Sequence, residues 1–509
     1  MNKIKSASSF KLDLFANFAG SGWTAVMQIG CIPLYIKFLG VEGYGLIGFY
    51  LMFQAMIQIL DFGMTPTINR EMARYSVQPD KATDARDFVR TLEVGYWLIG
   101  LIIGLASLAC APMIATNWIK TRGIPVNDVR HAVMVMSMLA VLQWPFSFYE
   151  AGLIGLRRQV LVNALKVGIV TLSSGGAVLI LWLVSPTIKT FFLWQVGVSA
   201  LQTTLMAIFL WRSLPPSDHA PFVNLKLLRN ISSFAAGVTG ITVSAMVLTQ
   251  LDKVIISKLF SLEMFGYYVL AGTFGKALLM VVAPVFNTIF PRFSALAALH
   301  DDQALSDLYH RCTQLMAVLI LPIAAILASF PYEILLFWTR NTEAALVAAP
   351  VARLLTIGTA VNGLMVLPYV LQLAHGWTSI GLRMNILLMI TLVPAVWLLA
   401  SNYGLVGGAS GYLGAMFMYL AMGVPLTHRR LLRGAVRKWF TEDVGLTFGV
   451  VLLVVGVGRV AMSHVLPARS TMIGLPVIWI AAVTASALAA PEIRQQLFAK
   501  MSNINLRYV

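Results

Sequence analysis

"IKFLGVEGYG", Ile36 to Gly45, and "SKLFSLEMFG", Ser257 to Gly266, are two versions of one motif. Lys37, Glu42 and Gly45 correspond to Lys258, Glu263 and Gly266 at a single offset of 221 residues, and Phe53 meets Phe274 at the same offset. Farther on, "TINR" (Thr67–Arg70) is echoed by "TIFPR" (Thr288–Arg292) with one residue inserted. Matched charges and glycines at one spacing are harder to obtain by chance than matched apolar residues, so the chain reads as an internal duplication.

The surrounding composition says what is duplicated. Of 509 residues 58% are hydrophobic and only 11% charged, with a mean hydropathy of +0.79. A soluble globular protein does not have this balance. Mostly apolar stretches of about 18 to 28 residues follow one another, each long enough to cross ~30 Å of hydrocarbon as a helix. About fourteen spans are expected, near 14–37, 43–67, 90–114, 130–154, 160–184, 188–211, 232–257, 264–290, 312–338, 350–374, 379–400, 404–426, 443–464 and 471–489. The segments are apolar throughout and lack the alternating ten-residue pattern of a transmembrane barrel, so an all-α polytopic membrane protein is predicted. The first span is too long for a signal-peptide core and no small-residue cleavage site follows it, so it is expected in the mature chain.

Each copy of the motif joins the first two spans of a six-span unit. An even number of spans between equivalent points makes the halves parallel repeats, related by an axis along the membrane normal, with a central cavity. The predicted organisation is a lobe at 1–212, a second lobe at 213–430, and two extra helices with a tail at 431–509.

Orientation follows from the cations. With the N-terminus inside, 24 Lys and Arg fall on cytoplasmic segments and 10 on the opposite side, which places both termini in the cytoplasm. The net charge of +16 is therefore a topology signal. The basic residues are scattered over short loops and not gathered on one face, which argues against nucleic-acid binding. Three lysines remain inside spans: Lys166, Lys253 and Lys276.

A charge within a span is costly and asks for a wet cavity or a partner. Lys276 lies near the middle of "AGTFGKALLMVVAP", on a small and polar stripe with Gly272, Thr273, Ala283 and Asn287. That depth hinders snorkelling and favours a cavity over a buried ion pair. Lys166 shares a face with Gln159, Asn163 and Ser173 but lies two turns from the cytoplasmic end, so a wet face and snorkelling both fit. In "LTQLDKVIISKLF", Leu248 to Phe260, Asp252 and Lys253 are adjacent and point about 100° apart on a helix, so they are not natural partners. Lys253 is expected to face water and Asp252 to meet a cation from another span, with snorkelling and a local hydrogen bond as the alternative. Asp61 in "LDFGM", with Arg70 and Arg74 in the following "NREMAR", reads as a cytoplasmic gate or structural charge network, and phosphate capture by Arg70 comes second. Glu93 and Glu150 fit a proton relay or a solvated helix end equally.

The order "NFAGSGWTAVMQIGCIPLYIKFLGVEGYGLIGFYLMFQAMIQILDFGMTPTINREMARYS", followed by "LDKVIISKLFSLEMFGYYVLAGTFGKALL", resembles the polysaccharide transporter family of lipid-linked oligosaccharide flippases. That family belongs to the multidrug/oligosaccharidyl-lipid/polysaccharide exporter superfamily. The resemblance is carried by Gly40, Gly43, Gly45, Asp61, Gly63, Arg70, Glu71, Asp252, Gly266, Pro291 and Arg292. It implies two six-helix lobes about a cavity, and transfer of an undecaprenyl-pyrophosphate-linked glycan, such as an O-antigen repeat unit of lipopolysaccharide, across the bacterial inner membrane from cytoplasmic to periplasmic leaflet. It implies membrane lipids as surroundings, and the polymerase and chain-length regulator of the same pathway as partners.

Such a substrate has an anionic head and an apolar tail, so a carrier needs cations in a wet path and an apolar flank. Lys276, Lys253, Lys166 and Arg70 are the expected substrate-binding residues, and Asp252, Asp61, Glu93 and Arg292 the expected gating or structural charges. A drug or cation exporter of the same superfamily would favour acidic residues in its cavity. A peptidoglycan-precursor flippase differs only in substrate. A membrane-embedded polysaccharide polymerase would need catalytic residues on a large outer loop, whereas the longest loops, near 68–89, 212–231 and 291–311, are cytoplasmic. The sequence has no Walker loop or dinucleotide fingerprint, and Cys31, Cys110, Cys312 and the isolated His131, His375 and His464 lack metal-ligand spacing. No enzyme activity, cofactor or metal is expected.

Overall fold

The structure is a computed structural model that describes residues 2–61, 64–78, 81–217, 219–224, 243–244, 247–465, 471–496 and 498. Half of the expected seventh span, near 232–257, falls outside them, as do Lys226, Arg229, Arg469, Lys500 and Arg507 of the orientation argument.

Helices account for nearly all of the described chain, and the single β-bridge pairs Lys120 with Ser261. In order they are α1 (Asn2–Gln58), α2 (Met64–Tyr75), α3 (Ala82–Met113), α4 (Val126–Gly155), α5 (Gln159–Val170), α6 (Gly176–Leu183), α7 (Ile188–Ser213) and α8 (247–259). Then follow α9 (Leu262–Lys276), α10 (Leu279–Ala298), α11 (Asp302–Ser329), α12 (Pro331–Thr339), α13 (Thr342–Leu364), α14 (Val366–Ala374), α15 (Thr378–Leu431), α16 (Ala435–Lys438), α17 (Gly445–Val465) and α18 (Thr471–Ala489).

Among the described residues, eleven helical stretches are long and apolar enough to cross a membrane. Two of them contain a left-handed glycine, Gly40 in α1 (φ 73°) and Gly404 in α15 (φ 66°), where the chain doubles back between two helices. Only glycine takes this conformation without steric cost. Dividing α1 and α15 at these glycines gives thirteen spans among the described residues.

Contacts divide the chain into two compact units, one comprising Met1–Gln250 with Phe260–Gly266, the other Leu251–Leu259 with Tyr267–Val509. In the first unit, Phe88, Leu92 and Tyr96 of α3 pack with Phe148 and Tyr149 of α4 and Leu210 of α7. In the second, Phe293, Tyr309, Met316, Ile320 and Phe330 pack with Val451 and Val455 of α17 and Ala482 of α18. The outer faces are apolar too: Leu98, Ile102 and Leu105 of α3 and Ile473, Val477 and Ile480 of α18 are exposed. Apolar exterior and apolar core together are what hydrocarbon as solvent selects.

The duplicated motif has a direct structural meaning. Within the first unit, a Cβ on Gly45 would collide with the Leu262 carbonyl oxygen, and one on Gly266 would sit 2.5 Å from the Val41 carbonyl oxygen. The two glycines matched by the repeat therefore face each other in reciprocal backbone contact, the close approach that small residues permit between membrane helices. The same end is tied by Glu42, whose carboxylate accepts from the backbone N–H groups of Arg122 (2.7 Å) and Gly123 (2.9 Å), and by Leu262, whose N–H donates to the Lys120 carbonyl (2.8 Å).

Candidate functional site

In the second unit the span expected at 264–290 is not one helix. α9 ends at Lys276 and α10 starts at Leu279. The junction is held by i to i+3 bonds, Leu278 N–H to the Gly275 carbonyl (3.3 Å) and Met280 N–H to the Ala277 carbonyl (3.3 Å). Gly275 packs so closely on Thr356 of α13 that a Cβ would lie 3.3 Å from its backbone nitrogen. Lys276 is thus the last residue of a half-helix, where the carbonyl dipoles favour a cation. Its side chain is exposed, and it makes no ion pair with any described residue.

Asp252 and Lys253 depart from the sequence reading. Among the described residues Asp252 meets no cation from another span: one oxygen accepts from the neighbouring Lys253 ammonium at 3.3 Å and the other from the Tyr268 hydroxyl at 3.0 Å. The Cβ vectors do diverge, but the lysine stem is long enough to curl its ammonium back to the adjacent carboxylate. Lys253 is accordingly 13% exposed at its side chain, far less than a water-facing cation. Lys276 lies within electrostatic range of both charges, so the three groups form one locality with an excess of positive charge.

The remaining charges expected at the site belong to the first unit, except Arg292, which is exposed on α10. Lys166 of α5 forms an ion pair with Glu150 of α4, so these two residues, expected separately as wet face and relay, are partners. Glu93 is buried, and its carboxylate accepts from Arg90 (2.9 Å), the Tyr149 hydroxyl (2.7 Å) and the Trp211 indole (3.1 Å). That saturation makes it a structural tie among α3, α4 and α7. Asp61 accepts from the Tyr96 hydroxyl (2.6 Å) and from the Thr65 N–H in the first turn of α2 (2.9 Å). Arg70 is half exposed and lies 4.0 Å from Glu71, which also pairs with Arg74 at 3.1 Å.

Asp61 borders a cavity that the sequence reading missed. It has a volume of about 390 Å³ and lies among α1, α2, α4 and α7. Tyr50, Gln54 and Gln58 of α1, Gln143 and Trp144 of α4, and Gln202 of α7 are in its wall, and among the described residues no Lys, Arg or His is. Gln143 is the hub: its oxygen accepts from the Tyr50 hydroxyl (2.7 Å) and the Gln54 amide (2.6 Å), and its amide donates to Ser199 (2.8 Å). The signal was present in the sequence, since Gln54, Gln58 and Asp61 recur at helical spacing in an apolar run, but neutral amides carry no charge to mark them.

A second missed group lies at the C-terminal helices. Asp443, fully buried between α16 and α17, contacts His310 Nδ1 of α11 at 2.5 Å and accepts from the Gln314 amide at 3.0 Å. Gln314 also accepts from the Glu492 N–H (2.9 Å). Arg459 of α17 pairs with Glu333 of α12. Among the described residues no group of His, Cys, Asp and Glu is arranged to hold a metal ion.

Residues 12–297 match the family described as "Polysaccharide biosynthesis protein". No curated protein matches the sequence. Among solved structures, the chain is similar to the lipid II flippase MurJ in an inward closed conformation, with a TM-score of 0.71, 12% identity, and coverage of 94% of this chain and 98% of that one. It is also similar to an inward-facing multidrug resistance MATE family transporter of the MOP superfamily (TM-score 0.67, 13% identity, 81% of this chain and 96% of that one). The Vibrio cholerae MATE transporter VcmN in its bent form is similar as well (TM-score 0.54, 15% identity, 85% of this chain and 99% of that one). At these identities the likeness concerns the fold.

Proposed function

Because the chain belongs to the polysaccharide biosynthesis protein family and has the fold of MOP superfamily transporters, we propose that it is a flippase for an undecaprenyl-pyrophosphate-linked oligosaccharide. It carries an O-antigen or other surface-polysaccharide repeat unit from the cytoplasmic to the periplasmic leaflet of the bacterial inner membrane by alternating access, with both termini in the cytoplasm. The observation that carries this reading is Lys276: an exposed cation with no ion pair among the described residues, where a membrane helix tightens into i to i+3 turns. A cation within a span marks a substrate path, and an ammonium there complements a diphosphate. Lys253, held beside it by Asp252, adds positive potential.

The drug or cation exporter is the weaker alternative. It needs an available carboxylate, and Asp61, Glu93 and Asp252 are each engaged by at least two donors. A peptidoglycan-precursor flippase shares the chemistry of the diphosphate and differs in the head group.

The test is transport by the purified chain in liposomes. A fluorescent undecaprenyl-pyrophosphate glycan should cross the bilayer without ATP, and Lys276→Ala should lower the rate while leaving the reconstituted amount unchanged. A glycan that stays in its leaflet with the wild-type chain would overturn the proposal.

A further inference from the structure

The cavity of the first unit is suited to a ligand unlike the one the lysines attract. We infer that it is a saccharide subsite, which receives an uncharged pyranose ring of the glycan head. This rests on the flippase reading above and adds the recognition of the sugar to it.

The volume of about 390 Å³ falls in the range of roughly 300–1,000 Å³ common for small-ligand pockets. Its chemistry favours a neutral, hydroxyl-bearing ligand. Among the described residues the wall has no Lys, Arg or His, so an anionic group finds no cation there. The single carboxylate, Asp61, already has one donor on each oxygen, Tyr96 at 2.6 Å and Thr65 at 2.9 Å. Each oxygen keeps one further acceptor site, which suits a hydroxyl donor. The amides of Gln58 and Gln202 make no hydrogen bond to any described residue. An amide offers a donor and an acceptor side by side, the pattern that matches hydroxyls, which are themselves both. Aromatic side chains complete the set: Tyr50 and Trp144 present flat apolar surface of the sort that packs on the C–H face of a sugar ring. The Trp144 indole N–H, buried in the same wall, has no partner among the described residues. Gln143, by contrast, is fully engaged with Tyr50, Gln54 and Ser199, and so fixes the shape of the pocket.

The test compares two probes on the purified full-length chain in nanodiscs: bare undecaprenyl pyrophosphate, and undecaprenyl-pyrophosphate-linked oligosaccharide extracted from a strain in which this chain is deleted. The wild type should bind the glycosylated lipid about tenfold more tightly than the bare one. Gln202→Leu should abolish that difference and leave affinity for the bare lipid unchanged, and Gln58→Leu should reduce it in part. Lys276→Ala should weaken both probes together. Should Gln202→Leu and Gln58→Leu both keep the full tenfold preference, the saccharide subsite is overturned while the flippase reading stands. Equal wild-type affinity for the two probes overturns the subsite as well. A wild-type chain that binds neither probe but binds rhodamine 6G, with loss on Gln202→Leu, overturns both readings and gives the cavity to cationic amphiphiles.

Discussion

In each unit a tyrosine hydroxyl donates to an intramembrane aspartate, yet the two aspartates serve different ends. Asp61 uses its second oxygen on a backbone N–H of α2, whereas Asp252 uses its second oxygen on the Lys253 ammonium. The first arrangement anchors a helix start beside a neutral cavity of amides and aromatics. The second holds a cation in place beside Lys276. A buried carboxylate needs donors in either setting, but the choice of donor decides the sign of the neighbourhood. The two surroundings thus differ in sign, one lined by amides and aromatics and one carrying an excess of positive charge.

The largest test of this contrast is to remove the carboxylate from each side. Asp252→Asn leaves Lys253 nearly buried without its counter-charge, and breaking one side of such a pair costs roughly 3–5 kcal/mol. Membrane abundance on immunoblots should fall sharply. Asp61→Asn retains an oxygen for either Tyr96 or Thr65 and removes no counter-ion, so its loss should be near that of a helix cap, about 1 kcal/mol. Equal losses for the two variants would erase the distinction.

Next is the contact that the repeat itself makes. Gly45→Ala drives a methyl into a backbone oxygen, where no side chain can yield, and overpacking of this kind costs about 1–3 kcal/mol. A lower thermal midpoint of the detergent-solubilised chain should report it. Gly22→Ala, with nothing within 4 Å of the added carbon, is the matched control and should be silent.

A smaller energy but a clear functional effect is expected at Lys276. Lys276→Ala should reduce complementation of a deletion strain about tenfold, equivalent to roughly 1.4 kcal/mol, at normal abundance. Lys276→Arg should keep part of the activity because the charge remains in a different shape. Full complementation by Lys276→Ala would remove the functional half of the comparison. The least effect belongs to Lys166→Met. Its ion pair with Glu150 is more than a third exposed on the lysine side, so the change in stability should be about 0–1 kcal/mol, measured as an unchanged melting temperature.

Much of this was legible in the sequence. The spans are periodic signals summed over hundreds of residues, so they survive local error. The exposure of Lys276 within a helical span was expected because a lysine at mid-span has so few alternatives. The pairing of Asp252 with Lys253 was not, because a helical wheel records where Cβ points and ignores the reach of a four-carbon stem. The cavity was not, because Gln143 and Gln202 stand apart in sequence and alone carry no charge. His310 and Asp443 are separated by 133 positions, and nothing short of the fold brings them together.

That last contact gives the C-terminal helices a particular standing. Asp443 is the common partner of His310 and Gln314, and all three are buried. A chain that ended before α16 would leave an imidazole and an amide without their buried acceptor, on a face of α11 whose apolar neighbours had also lost α17 and α18. Asp443 therefore acts as a keystone: removing the C-terminal helices takes a polar partner and an apolar neighbour from α11 at one stroke.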